Sequence, residues 1–179
     1  MPHNQIKKYP QLLEIMHLNE YARKVSLRAI FDRDITENDK FLFNKKVIRP
    51  TKLDGEIDLG NVFTHLITED IYETDEDGKQ VKRREFEKDR AHRLHWLKPH
   101  VEAKIKDEVH CFSVVERDQR KRKGVVRTYI FNVTEKYVVV LEPQNSNKDY
   151  YLLTAYYLNK KYGLKQMKKK MKQKLAELY

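Results

Sequence analysis

Apolar residues recur along this chain with two different periods, and the change between them divides it. From Arg90 the sequence reads RAHRLHWLKPH, and Leu94, Leu97, Val101 and Ile105 follow at intervals of three or four. That spacing predicts a helix over about Glu85–Asp107, with a kink or split at Pro99, because proline removes a backbone donor and crowds the preceding turn. After it the pattern becomes short β-branched and aromatic runs between turn residues. These predict strands at His110–Glu116, Val125–Phe131, Tyr137–Glu142 and Tyr150–Tyr156. Period-two alternation sets Arg127 beside Val125, Tyr129 and Phe131, and sets Thr154 and Tyr156 beside Tyr150 and Leu152.

Upstream, residues 11–31 read as helical, with Leu13, Met16, Tyr21 and Val25 approximating one face, or with Ser26 capping a second short helix. Phe41–Phe43 suggests a short strand, DGEIDLGN reads as turns, and residues 62–73 have helical spacing at Phe63, Leu66 and Ile67. The polar ETDEDGKQVKRRE reads as a mobile loop. At the other end, Leu164, Met167, Met171 and Leu175 line one face of an amphipathic helix whose other face is lysine. The expectation is an α+β fold: a helix followed by four antiparallel strands, with a basic C-terminal helix. Residues 1–60 are expected to form an N-terminal helical extension, and 61–179 the main domain.

Composition narrows the partners. The chain has 179 residues, 40% of them hydrophobic and 36% charged, so it can build a core. No apolar run reaches the ~20 residues that span a bilayer. With no secretory leader and a single cysteine, Cys111, a cytoplasmic setting is expected. The net charge of +10 favours nucleic acid, an anionic membrane surface or an acidic partner. It concentrates in RDQRKRKGVVR at 117–127 and in 160–174, which holds eight lysines and no acid. Each run alone is equally compatible with a solvated surface.

The pieces FTHLIT, RAHRLHWLKPHV, FSVVERD, RTYIF, YVVVLEP and DYYLLTAYYL, in that order, resemble a phage- and Firmicute-associated branch of the barnase–EndoU–colicin–RelE ribonuclease superfamily. The likeness covers roughly residues 60–165. It implies a helix packed on a curved antiparallel sheet and a metal-independent endoribonuclease. Because no phage structural domain accompanies the module, a free toxin or phage-defence effector is expected. An acidic antitoxin or immunity protein would be its partner.

Such cleavage uses the ribose 2′-hydroxyl as nucleophile and leaves a 2′,3′-cyclic phosphate. It needs a base, an acid and cations on the phosphorane oxygens. Arg93 and His100 on one helix flank are the first candidates, with His95 as second choice for proton transfer. Arg127, Thr154 and Tyr156 are the candidates from the sheet. Arg90, Lys98, Arg120, Lys121, Arg122, Lys123, Lys168 and Lys169 are the expected RNA contacts. The rival reading makes Arg90 and Arg93 ion-pair partners of Glu87 and Asp89, and the histidines partly buried structural residues. No cofactor is expected. His92, His95, His100, His110 and Cys111 fit no common zinc spacing, and no phosphate-binding glycine loop is present. A non-catalytic RNA-binding module and a protein-interaction module are the alternative functions.

Overall fold

Asn19 decides where the first long helix begins. Its side chain accepts a hydrogen bond from the Ala22 amide at 2.8 Å, the N-cap arrangement worth about 1 kcal/mol. The computed structural model, which describes residues 2–53, 55–118, 121–144 and 146–179, has a short helix α1 (Pro2–Gln5) and then no regular element until α2 (Glu20–Phe31). Residues 11–19, expected to be helical, are irregular. They deliver Leu13, Ile15 and Leu18 to the core, and the Leu13 amide bonds to the His92 carbonyl. The expected stripe through Met16, Tyr21 and Val25 is largely exposed. The face of α2 that packs is Leu27, Ile30 and Phe31, with Phe31 edge-on to Phe63. Ser26 caps nothing. It is buried, and the Asn4 side chain donates to it.

A π-helical turn (Asp32–Thr36) leads to strands β1 (Leu42–Phe43) and β2 (Lys46–Pro50), the small hairpin β3 (Lys52–Leu53) and β4 (Glu56–Ile57), and helix α3 (Leu59–Ile67), capped by Asp58. The polar stretch expected to be a loop is a two-stranded hairpin, β5 (Thr68–Thr74) and β6 (Gln80–Phe86). It has little apolar surface. Its cross-strand ion pairs, Asp70 with Lys82 and Arg84 and Glu73 with Arg83, take over that role, and Asp75 closes the turn by accepting from the Lys79 amide.

The expected long helix is three short pieces: α4 (Lys88–Ala91), a 3₁₀ turn (Leu94–Trp96) and α5 (Leu97–Val101). The break falls at His92–Arg93, ahead of Pro99. Since α5 restarts at Leu97, Pro99 lies in its first turn, where the missing N–H has no intrahelical partner to lose.

Four long strands follow, β7 (Val109–Asp118), β8 (Lys123–Asn132), β9 (Tyr137–Gln144) and β10 (Asp149–Tyr157), then helix α6 (Gly163–Lys172). The architecture is α+β, but the sheet has six strands rather than four. Its order is β1-β2-β10-β9-β8-β7, and β10 runs parallel to β2, so it is mixed rather than antiparallel throughout. Residues before 61 thus supply two strands and a share of the core.

The sheet separates two cores. One face, here the inner face, carries Ile130, Tyr137, Val139, Leu141, Leu152 and Ala155 against Leu94, Trp96, Leu97 and Val101. The outer face carries Phe112, Val114, Tyr129, Phe131, Val138 and Val140 against Met167 of α6, with Leu164 and Met171 beside it. One irregularity controls which residues go where. The β9–β10 register shifts at Leu153, pairing Leu152 with Leu141 but Thr154 with Val140. A bulge of one residue exchanges the faces of everything after it. Tyr150 and Leu152 therefore face the helices, while Thr154 and Tyr156 face outward, contrary to the simple alternation.

Candidate functional site

The bulge puts Thr154 and Tyr156 on the same face as Arg127, and the sheet then stands between these three and the histidines. The expected cleft joining Arg93 and His100 to Arg127, Thr154 and Tyr156 is not formed, because α5 packs on the inner face. His100 is 2% exposed; its Nδ1 is 2.7 Å from the Trp96 carbonyl and its Nε2 3.1 Å from Asn132, and the rings of Tyr9, Trp96 and Tyr137 surround it. Burial lowers its pKa, so the imidazole is held neutral. Asn132 also donates to Asp107 and to the Tyr9 hydroxyl, which itself bonds to Asp107. His100 is a structural node.

Arg93 also faces inward. Its guanidinium lies 3.9 Å from the centre of the Tyr157 ring and 5.1 Å from that of Trp96, and Nη1 donates to the Asp89 carbonyl and pairs with its carboxylate. His95 lines a separate cavity with Lys98, away from both other groups.

On the outer face lies a cleft of about 200 Å³ between α6, the end of β10 and the base of β5. No described strand pairs with β10 on the β2 side beyond Leu152, so its second half is an edge, and α4 packs beside it. Arg90 comes from that helix. Its Nη1 donates to the carbonyls of His65 and Thr68, and its guanidinium sits 5.6 Å from the centre of the Tyr156 ring. Glu87 caps α4 by accepting from the Asp89 and Arg90 amides, and its carboxylate lies 3.9 Å from Arg90 Nε. Lys160, paired with Glu69 at 3.1 Å, lies at the rim.

Lys170 of α6 reaches the cleft and continues to the sheet. Its ammonium donates to the Tyr129 hydroxyl at 2.7 Å and pairs with Glu116, to which that hydroxyl also donates at 2.9 Å. Burial first, and then the Glu116 charge, raise the pKa of Tyr129. The same two causes push Tyr156 up to about 12, with Arg90 opposing, so Tyr156 keeps its proton near neutrality. The Thr154 hydroxyl is buried on this face with no hydrogen-bond partner. Further along, Arg127 is clamped between Asp118 at 2.8 Å and Glu142, and Lys121 also pairs with Glu142.

Among the other expected RNA contacts, Arg122, Lys123, Lys168 and Lys169 are exposed on the hairpin and on α6, while Arg120 lies outside the described residues. Among the described residues no helix is long and apolar enough to cross a membrane, and no three His, Cys, Asp or Glu side chains are placed to share a metal ion. Comparison with family models, curated proteins and solved structures gives no match to this chain.

Sequence reasoning overlooked Glu116, Tyr129 and Lys170 as a group. The signal was available in part: Tyr129 shares the parity of Arg127, and Glu116 that of Phe112 and Val114 on the neighbouring strand. Lys170 is one of eight lysines in its run, and only the packing of Met167 shows which of them turns toward the sheet.

Proposed function

We propose that the protein is a metal-independent endoribonuclease whose reaction takes place in the outer cleft. One observation carries this reading. Arg90, Tyr156 and Lys170 come from a helix, a strand and a second helix far apart in sequence, yet they line one small polar cavity. A helix on a twisted sheet does not need them there for packing. The sequence resemblance to the barnase–EndoU–colicin–RelE superfamily supports the same class of reaction.

In the proposed reaction an RNA phosphate enters between Arg90 and Lys170, whose charges offset that of the phosphorane. As Lys170 moves onto the phosphate it leaves Glu116, which then accepts the 2′-hydroxyl proton. The 2′-oxygen attacks phosphorus, and the bond to the 5′-oxygen breaks. Tyr156, protonated at neutral pH, donates to that leaving oxygen. The products are a 2′,3′-cyclic phosphate and a 5′-hydroxyl. The exposed lysines of α6 and of the β7–β8 hairpin hold the flanking backbone, and an acidic antitoxin or immunity protein is the partner that would neutralise this surface.

The deciding experiment incubates purified protein with total RNA in excess EDTA and maps the new ends. Cleavage that persists and leaves cyclic-phosphate ends is expected. Activity that vanishes on chelation and returns with magnesium would overturn the proposal. A second reading has its own support: Lys160, Lys170 and Arg127 are each held by a carboxylate, as in a surface that only binds. A non-catalytic RNA-binding module would retain RNA in the same assay and leave it intact.

A further inference from the structure

On the opposite side of the molecule, the irregular N-terminal segment closes over α5 and leaves a cavity of about 310 Å³. Its polar lining is Lys7, Lys8, Tyr9, Arg33, Asp34, His95, Lys98 and Lys104, with Pro99 and Ile105 as apolar wall. Five cations therefore face one carboxylate. Arg33 is taken up by Asp34 at 2.6 Å, Lys7 by Glu14 at 2.6 Å and Lys104 by Glu102 at 2.6 Å. Lys8 and Lys98 have no ion-pair partner among the described residues.

His95 stands at the back of this cavity. It is 4% exposed, and neither ring nitrogen has a hydrogen-bond partner. The carbonyls of Gln11 and Lys8 lie near enough to favour its charged form, but neither accepts a bond of good geometry. An imidazole has a donor and an acceptor to satisfy, and leaving such groups buried and unmade costs about 1–3 kcal/mol each. No hydrogen bond of the 3₁₀ turn Leu94–Trp96 uses the His95 side chain.

We propose that this cavity binds a phosphomonoester, with Lys8 and Lys98 matching its two charges and His95 hydrogen-bonded to a phosphate oxygen. Two unpaired ammonium groups suit a dianion better than a carboxylate. The volume exceeds that of a phosphate alone and lies at the lower end for organic ligands, so it leaves room for an attached sugar beside Tyr9, Pro99 and Ile105. A mononucleotide has this chemistry. The site is reached from the face away from the outer cleft, and the inference does not depend on the ribonuclease proposal.

The test follows the His95 ring by NMR while AMP, inorganic phosphate or adenosine is added. Burial, with the charges of Arg33 and Lys7 adding to it, holds the His95 pKa down at about 4, and a bound dianion must raise it. Saturable shifts with AMP and with phosphate at millimolar concentration, together with an upward pKa, are expected. Adenosine should leave the ring unmoved. Lys8→Glu and Lys98→Glu reverse charge at positions outside the core, and each should weaken AMP binding about tenfold or more. His95→Gln, which keeps a donor and an acceptor, should retain part of the affinity. Absence of saturable binding, equal binding of adenosine, or AMP affinity unchanged in both lysine variants would each overturn the site. No arm uses RNA cleavage, so failure here is separable from failure of the outer-cleft reaction.

Discussion

The two sides of the sheet use similar residues to opposite ends. On the inner side, His100 sits among aromatic rings and is hydrogen-bonded through Asn132 to Asp107 and Tyr9, and the Arg93 guanidinium lies over two rings. On the outer side, Arg90, Tyr156 and Lys170 line open space, Arg90 held by two backbone carbonyls and Lys170 by its ion pair with Glu116. Histidine and arginine are therefore poor guides to chemistry by type alone. What separates the two groups is access: His100 and Arg93 are packed among rings, whereas Arg90, Tyr156 and Lys170 line an open cleft.

The sharpest way to break that comparison is to remove the outer groups. Lys170→Met should lower the single-turnover rate of RNA cleavage by about 10²–10³, the loss typical of one donor to a developing oxyanion. Tyr156→Phe removes one oxygen and should cost about 10²–10⁴ as the lost general acid. Chemical denaturation should show both variants close to wild type, because Lys170 is a partly exposed ion-pair partner and Phe keeps the buried ring. Cleavage unchanged in both variants would move the chemistry elsewhere.

His100→Ala should behave in the opposite way. It leaves Asn132 short of a partner and empties the space between Tyr9, Trp96 and Tyr137, at a cost of about 2–4 kcal/mol in unfolding free energy. Per folded molecule the cleavage rate should not change. A selective loss of rate in a fully folded His100→Ala protein would return the histidine to the site.

How far these assignments could be read from the chain turns on Leu153. Alternation correctly predicts the four long strands, since their β-branched and aromatic runs are dense, and the Leu164, Met167, Met171 stripe correctly predicts α6, although the helix ends at Lys172 and leaves Leu175, expected on the same face, beyond it. Alternation then places Thr154 and Tyr156 with Leu152, facing the helices. The bulge reverses this, and no residue at that point announces it: Leu153 is an ordinary strand residue, and the shift is made by pairing with β9. The β5–β6 hairpin was missed for another reason. Its strands are joined by charges, and a charged run without apolar alternation has the signature of a loop. The join of β2 to β10 brings together residues about a hundred positions apart, which no local pattern encodes. Arg90 and Arg93 illustrate the site. Their pairing with Glu87 and Asp89 was readable from spacing, but the passage of Arg90 around the open edge of β10 was not.

Protonation offers a gentler probe of the inner side. His95 and His100 are held neutral by burial, so the folded chain binds fewer protons than the unfolded one below the ordinary histidine pKa near 6.5. Stability must then fall as pH drops from about 6.5. For His95 the fall continues to about 4, at about 1.4 kcal/mol per pH unit. His65 and His92, also lowered by burial, contribute with the same sign, so the quantity to compare is the difference between wild type and His95→Asn. Unfolding free energies measured from pH 7 to 4 should show the shallower slope in the variant. Equal slopes would mean that His95 is protonated in the fold, as a bound anion would also make it, and repeating the series in phosphate-free buffer separates those causes.

The smallest effect belongs to the exposed lysines, where neither side of the sheet is touched. Lys123 on the hairpin and Lys168 and Lys169 on α6 are exposed, and no acid interrupts the run from 160 to 174. If they hold only the phosphate backbone, each replacement by Gln should weaken RNA binding nearly uniformly across sequences and reduce the salt slope by about one. The reason is counterion release: a lysine on a phosphate frees roughly one condensed cation, and its removal forfeits that entropy while the bound RNA keeps its geometry. Single-turnover cleavage at saturating RNA should therefore stay near wild type even in the triple variant. Lys121 makes a useful contrast within the same hairpin. It is tied to Glu142, which also clamps Arg127, so Lys121→Gln leaves that carboxylate to Arg127 and Gln144. Its salt slope should change by less than that of Lys123→Gln, because a lysine already paired in the free protein releases fewer ions from RNA. Filter binding across a salt series, with the four variants side by side, measures both quantities. A drop in the saturated cleavage rate on losing Lys168 or Lys169 would place part of the chemistry on the exposed face of α6 rather than at Lys170 alone.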